Sequence, residues 1–224
     1  MSSSRYCVVI PAYQAAKSIG ELVRRVKHQG LAIVVVDDGS RDETAAIASA
    51  EGALVISHLR NEGKGHALRT GFEHAIREHY DGVITMDGDG QHDPAEIPQL
   101  IRAGEVQHAG IVLGNRMTNG PSMPMARRRT NRLMSAIVSM ISRQQIPDSQ
   151  CGFRLIRKEV LEDLPLRAKR YEIETELLLK AASRRWKIIS VPVRSIYDNH
   201  PSHIHPVREG LRFAAVLLRF FVRR

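Results

Sequence analysis

Apolar and polar positions along this chain fall into blocks of two different periods. Short runs from Tyr6 to Ile10, Ala32 to Val36, Leu54 to Ile56, Val83 to Met86 and Ile111 to Leu113 are rich in Val and Ile. Such runs predict strands, and the nearly unbroken apolar ones predict strands covered on both faces. Between them the period lengthens to that of a helix. Ile19, Leu22, Val23 and Val26 share one face of a helix predicted over 17–29, which Gly30 stops. Further helices are predicted over 42–51, over 65–79 with Leu68, Phe72, Ala75 and Ile76 inward, and from 95 to about 106. Strand and helix taking turns at this spacing predict a parallel, doubly wound α/β sheet.

In such sheets ligands bind beyond the C-terminal ends of the strands. Polar clusters fall at three of these ends: Tyr13, the pair Asp37–Asp38, and the pair Asp87 and Asp89. The last pair closes an apolar strand, in the stretch Val-Ile-Thr-Met-Asp-Gly-Asp-Gly-Gln-His-Asp-Pro from Val83 to Pro94. Two anions at the tip of a buried strand are costly without positive charge beside them. A hard divalent cation with oxygen ligands answers that need and leaves positions for phosphate oxygens. Asp and Gly are also the commonest turn residues, so one cluster alone decides little. Three on one edge are harder to ascribe to turns. An EF-hand is excluded because Gln91, His92 and Pro98 stand where Asp or Asn, Gly and Glu are required. Asp93 takes the place of the third glycine of a dinucleotide fingerprint, and His58 the place of the first glycine of a Walker loop.

A length of 224 residues suits one sizeable core, read as a domain over 1–206 with a short extension over 207–224. Cys7 and Cys151 lack metal-ligand spacing, which suggests a reducing, cytoplasmic compartment. The formal charge of +9 is unevenly spread. From Val106 to Pro147 there are six arginines (116, 127, 128, 129, 132 and 143) and no acidic residue. That asymmetry points to an anionic partner: nucleic acid, a phospholipid surface or a phosphorylated substrate. Aromatic residues make up only 5%, too few for an RNA-stacking platform, so nucleic acid is not expected. Near the end of the chain, Val207, Leu211, Ala214, Leu218 and Phe221 form an apolar stripe beside Arg208, Arg212, Arg219 and Arg223. This amphipathic helix suits either a lipid surface or packing on the domain, and Arg219 breaks it too early for a membrane span. Peripheral placement at the inner face of the cytoplasmic membrane is the expectation.

Several motifs are similar, in order and spacing, to those of family-2 glycosyltransferases. They are Val9-Ile10-Pro11-Ala12-Tyr13, Val36-Asp37-Asp38-Gly39-Ser40, Asn61-Glu62-Gly63-Lys64-Gly65 and Asp87-Gly88-Asp89-Gly90-Gln91-His92. The likeness continues through Gly114-Asn115-Arg116, Asp148-Ser149-Gln150-Cys151-Gly152-Phe153-Arg154, Tyr171 to Leu177, and Pro192-Val193 with Tyr197 and Ser202. Within that family the chain resembles the dolichyl- and polyprenyl-phosphate branch.

The resemblance implies a GT-A fold, a mostly parallel Rossmann-like sheet with flanking helices, and transfer of a sugar from a UDP or GDP donor with inversion. It places Pro11 and Tyr13 against the base, Asp38 on a base N–H or ribose hydroxyl, and Lys64 and Asp87 near the donor. Asp87, Asp89 and Gln91 would hold Mg²⁺ or Mn²⁺ on the diphosphate, neutralising charge on the leaving group. The free N–H groups of Gly63-Lys64-Gly65, opening a helix, suit an anion. Arg116 and one or more of Arg127, Arg128 and Arg129 are expected on phosphate, with Ser202 toward the acceptor. A hydroxyl acceptor, lipid or glycan, would need a carboxylate base, for which Asp148, Glu174 and Glu176 are the candidates beside Glu172. A polyprenyl phosphate, with its second ionisation near pH ~6, would need none. A sugar-hydroxyl acceptor in polysaccharide assembly, or a basic binding module without catalysis, are the competing readings.

Overall fold

A computed structural model describes residues 5–118, 125–194, 196, 213, 214, 217, 218 and 220. The first half runs β1 (Tyr6–Ala12), α1 (Ile19–Lys27), β2 (Ala32–Asp37), α2 (Thr44–Ala50), β3 (Leu54–Ser57), α3 (Lys64–Arg77) and β4 (Gly82–Thr85). The second continues with α4 (Ile97–Gln107), β5 (Ile111–Asn115), α5 (Met125–Ser142), β6 (Arg154–Arg157), α6 (Lys158–Asp163), α7 (Ile173–Ser183) and β7 (Ile188–Pro192).

Alternation along the central strands builds two apolar layers. Val9, Val34 and Val36 face one side, where they meet Leu68 and Phe72 of α3 and Leu177 and Leu178 of α7. Val8, Ile10, Ile33 and Val35 face the other, against Leu22, Val23 and Val26 of α1 and Leu100 of α4. Each such side chain taken out of water contributes roughly 1.5–3 kcal/mol, so two covered faces fix the strand register firmly.

The sheet order is β3-β2-β1-β4-β6-β5-β7. It is mostly parallel, and it corrects the all-parallel reading at one strand: β6 runs antiparallel to both β4 and β5. The segment before β6 returns along the C-terminal strand edge and enters the sheet from there. Thr85, at the end of β4, therefore pairs with Arg154, at the start of β6. Four residues with Arg at both ends gave β6 no readable period.

Phe213, Leu217 and Phe220 pack on the same core cluster as α5 and α7, while Ala214 and Leu218 of the predicted apolar stripe are exposed. Val207, Leu211 and Phe221 lie outside the described residues. Among those described, no helix is long and apolar enough to cross a membrane.

Candidate active site

The tip of β4 carries the charge. Lys64, the first residue of α3, reaches over it and divides one ammonium between two carboxylates, Asp87 Oδ1 at 2.6 Å and Glu174 Oε1 at 2.5 Å. Burial alone would pull the lysine down, but Asp87 and Glu174 outweigh it and hold Lys64 above an ordinary lysine. Burial opposes ionisation of Asp87 as well, yet Lys64 and then His92 keep its carboxyl well below the usual range. His92 is buried, stacks on Phe153 at 5.4 Å and brings Nε2 to 3.6 Å from Asp87 Oδ2. Gly152 crosses directly above this carboxylate: a Cβ there would lie 2.5 Å from Asp87 Oδ2. Thr85 Oγ1 donates to the Gly152 carbonyl at 2.7 Å and fixes that crossing.

Asp89, two residues on, is open to solvent, and its Oδ1 accepts from Gln91 N at 3.0 Å. Desolvation by the surrounding protein, followed by the Asp87 charge, raises its carboxyl above the ordinary value. The Gln91 carbonyl accepts from Ile196 N at 2.9 Å. The described residues hold no group of three or more His, Cys, Asp or Glu placed around a metal. Two carboxylates at a strand tip fit a cation that completes its shell with diphosphate oxygens and water, the habit of Mg²⁺.

Pro11, near the end of β1, lines the same cavity as Lys64, Asp87, Gly152 and Glu174. The Tyr13 ring is 46% exposed at the end of β1. Asp38 departs from expectation: it is buried, and its oxygens accept from Gly63 N at 2.7 Å, Glu62 N at 2.9 Å and His58 Nδ1 at 2.9 Å. It organises the 58–63 loop rather than presenting a free acceptor to a nucleoside. His58 is the residue beneath it that the sequence did not flag. Its Nε2 lies 3.0 Å from Thr70 Oγ1, so both ring nitrogens are engaged.

Gly63-Lys64-Gly65 departs as well. Gly63 N is taken by Asp38, and His66 N lies 3.1 Å from the Lys169 carbonyl. Gly63 has φ +101°, and a Cβ there would sit 2.5 Å from the Lys169 oxygen. These glycines admit the 168–170 loop, which packs against the helix end.

Asp148 is fully buried and grips Arg116 with both oxygens, at 2.8 Å to Nε and 3.0 Å to a terminal nitrogen, and also accepts from Arg116 N. Enclosed and saturated in this way, it is not placed as a general base. Glu176 is not either. Its Oε2 accepts from Arg167 N and Ala168 N, and its Oε1 from Lys180. The helical period sends Glu174 toward Lys64 and Glu176 away from it. Arg128 donates to the Met117 carbonyl at 3.3 Å, Arg127 is half-buried and Arg129 is exposed. Ser202 and the histidines at 200, 203 and 205 lie outside the described residues.

Arg154 is the organiser that pattern reading missed. It is buried and donates to three carbonyls: Cys151 at 2.7 Å, Ser149 at 2.8 Å and Glu174 at 3.0 Å. An arginine opening the apolar run Leu155-Ile156 was the available signal.

Comparison with known proteins gives this arrangement a family. A model of Glycosyl transferase family 2 matches residues 7–165. The chain is 31% identical over 223 residues to the UDP-N-acetylglucosamine–dolichyl-phosphate N-acetylglucosaminyltransferase of Methanococcus voltae, covering 89% of this chain and 89% of that one. It is 31% identical over 206 residues to the polyprenol monophosphomannose synthase of Mycolicibacterium smegmatis, covering 85% and 77%. Its fold is similar, at a TM-score of 0.77 and 23% identity, to glucosyl-3-phosphoglycerate synthase from Mycobacterium tuberculosis crystallised with Mn²⁺, uridine-diphosphate and phosphoglyceric acid. That match covers 98% of this chain and 79% of the other. A matched family model over most of the chain, and relatives 31% identical over most of their length, establish that this chain belongs to glycosyl transferase family 2 and is a glycosyltransferase of the GT-A fold.

Proposed function

We propose that this enzyme transfers a sugar, with inversion, from a UDP- or GDP-sugar to a polyprenyl phosphate or related lipid-linked phosphate. The observation that carries the reading is the open carboxylate of Asp89 beside the Lys64-clamped Asp87. Relatives named for dolichyl-phosphate and polyprenol substrates support the acceptor class.

Asp89, with Asp87 and Gln91 close by, would hold Mg²⁺ or Mn²⁺ for the donor diphosphate. Such a cation neutralises charge growing on the departing nucleotide, in place of an acid. Lys64 and His92 orient Asp87, and Gly152 allows the neighbouring loop to close over it. The exposed Tyr13 face takes the base, with the Asp38-ordered loop as the wall of that pocket.

Asp148, Glu174 and Glu176, the carboxylates considered as a base, are each engaged by Arg116, Lys64 or the 167–168 backbone. A phosphate acceptor requires no base, because its oxygen is already ionised near neutral pH. Exposed Arg129 supplies positive charge for that phosphate, whereas Arg116 is held by Asp148.

Peripheral membrane placement follows from such an acceptor, with the basic extension beyond residue 206 as a contact. Transfer of radiolabelled sugar into an organic-extractable, mild-acid-labile product tests the acceptor. Label appearing only in a water-soluble glycan would overturn it in favour of a sugar hydroxyl. Thermal shift with UDP-, GDP- and dTDP-sugars and Mn²⁺ identifies the donor, since only the matching one stabilises the fold.

A further inference from the structure

The α5 helix buries one face and leaves the opposite one bare. Met134, Ile137, Val138 and Ile141 join the core cluster beneath it. On the other side Met125, Leu133 and Met140 are 69%, 63% and 74% exposed. At 3.6 residues per turn, Met125, Arg129, Arg132, Leu133, Ala136 and Met140 fall within about 100° of arc. All six are exposed. Single apolar residues at a surface need no explanation. Three large ones aligned along about 22 Å of helix do.

The charge between them selects the partner. Arg129 and Arg132 stand in the stripe, exposed Arg143 follows the helix, and no Asp or Glu occurs from residue 106 to 147. A second copy of this face would bring the same arginines and no Asp or Glu to pair with them. Apolar side chains interleaved with arginines instead match a helix lying in a headgroup layer.

We propose that the outer face of α5 docks the domain on an anionic phospholipid surface. Leu133 and Met140 enter the headgroup–acyl boundary, and Arg129 and Arg132 meet lipid phosphates. This deepens the lipid-acceptor reading and rests on it only for its purpose. Arg128 ties α5 to the Met117 carbonyl beside the strand-end edge, so a docked α5 brings a membrane-held acceptor toward the donor.

The test is co-sedimentation of the full chain with vesicles of phosphatidylcholine alone or mixed with phosphatidylglycerol. Wild-type protein is expected on the anionic vesicles, released by salt. Leu133→Glu/Met140→Glu is expected to bind about tenfold or more weakly, and Arg132→Glu to lose most of its preference for anionic lipid. Leu133→Ser/Met140→Ser serves as a milder pair if the charged one melts early. Melting temperature and transfer to a water-dispersed short-chain prenyl phosphate are expected to stay at wild-type level. Unaltered vesicle binding in the folded double variants overturns the proposal, as does wild-type protein that ignores anionic vesicles. So does a dimer abolished by the same substitutions, which would assign the face to a second copy. Binding that depends on α5 while no prenyl phosphate is glycosylated would uphold this surface and sink the acceptor reading instead.

Discussion

The Lys64 cluster at the tip of β4 and the Arg116–Asp148 pair at the tip of β5 are both cation–carboxylate contacts on one sheet edge, built to opposite ends. Asp148 is sealed, and both its oxygens are spent on one planar guanidinium. Lys64 instead divides a point charge between Asp87 and Glu174, and Asp87 keeps part of its surface open toward Asp89. A saturated bidentate pair has nothing left to exchange. A shared ammonium can give up part of one carboxylate when a cation and a diphosphate arrive. The first contact holds a loop in place, and the second is poised for a ligand.

The sharpest way to break this comparison is to remove the open carboxylate. Asp89→Asn should lower sugar transfer by more than about 10²-fold, by loss of transition-state charge stabilisation. Stability should stay within about 0.5 kcal/mol, because the side chain is at the surface. Turnover near wild type with metal present would erase the distinction. Next comes the sealed pair: Asp148→Asn should cost about 3–5 kcal/mol in denaturant unfolding by leaving a buried guanidinium uncompensated. Asp148→Leu/Arg116→Met should recover most of that loss, since a purely structural pair can be replaced by apolar packing.

Lys64→Met leaves Asp87 and Glu174 facing each other and should cost about 3 kcal/mol, partly restored by adding Glu174→Gln. Its pH dependence has a definite sign. Asp87 is depressed below 3.8, so its contribution is whole above that value and fades as pH falls through the folded one. Lys64 is raised above 10.5, so its contribution is whole below that value and fades as pH rises through the folded one. The contribution of these two groups to wild-type stability should therefore be flat from about pH 5 to pH 10, whereas Lys64→Met, with two carboxylates left facing each other, should lose stability as pH rises above about 4. Chemical denaturation across that range checks it.

The smallest effect concerns the thiols. Burial pushes Cys7 and Cys151 up to about 12, so neither should be alkylated by iodoacetamide at pH 8 until the protein unfolds.

Strand tips were readable in advance because each follows a dense apolar run, which is why Tyr13, Asp38 and Asp87 were placed on one edge. Their chemical states were not. Asp38 looked like an acceptor for a nucleoside, yet His58 and two backbone N–H groups from a loop twenty and more residues away already fill it. Asp148 looked like a base, and a partner 32 residues distant closed it. Glu174 and Glu176 were equal candidates by sequence, and only the fold shows which of the two meets Lys64, 110 residues earlier in the chain.

Local chemistry thus determined the alternation of strands and helices, the edge on which charge collects and the family motifs, because these depend on residues near one another in sequence. Tertiary packing alone decided the reversal of β6, the partners of each carboxylate and the bare face of α5. An ionised group takes its role from whatever lies within a few ångströms of it, and those neighbours come from elements that only the folded sheet brings together.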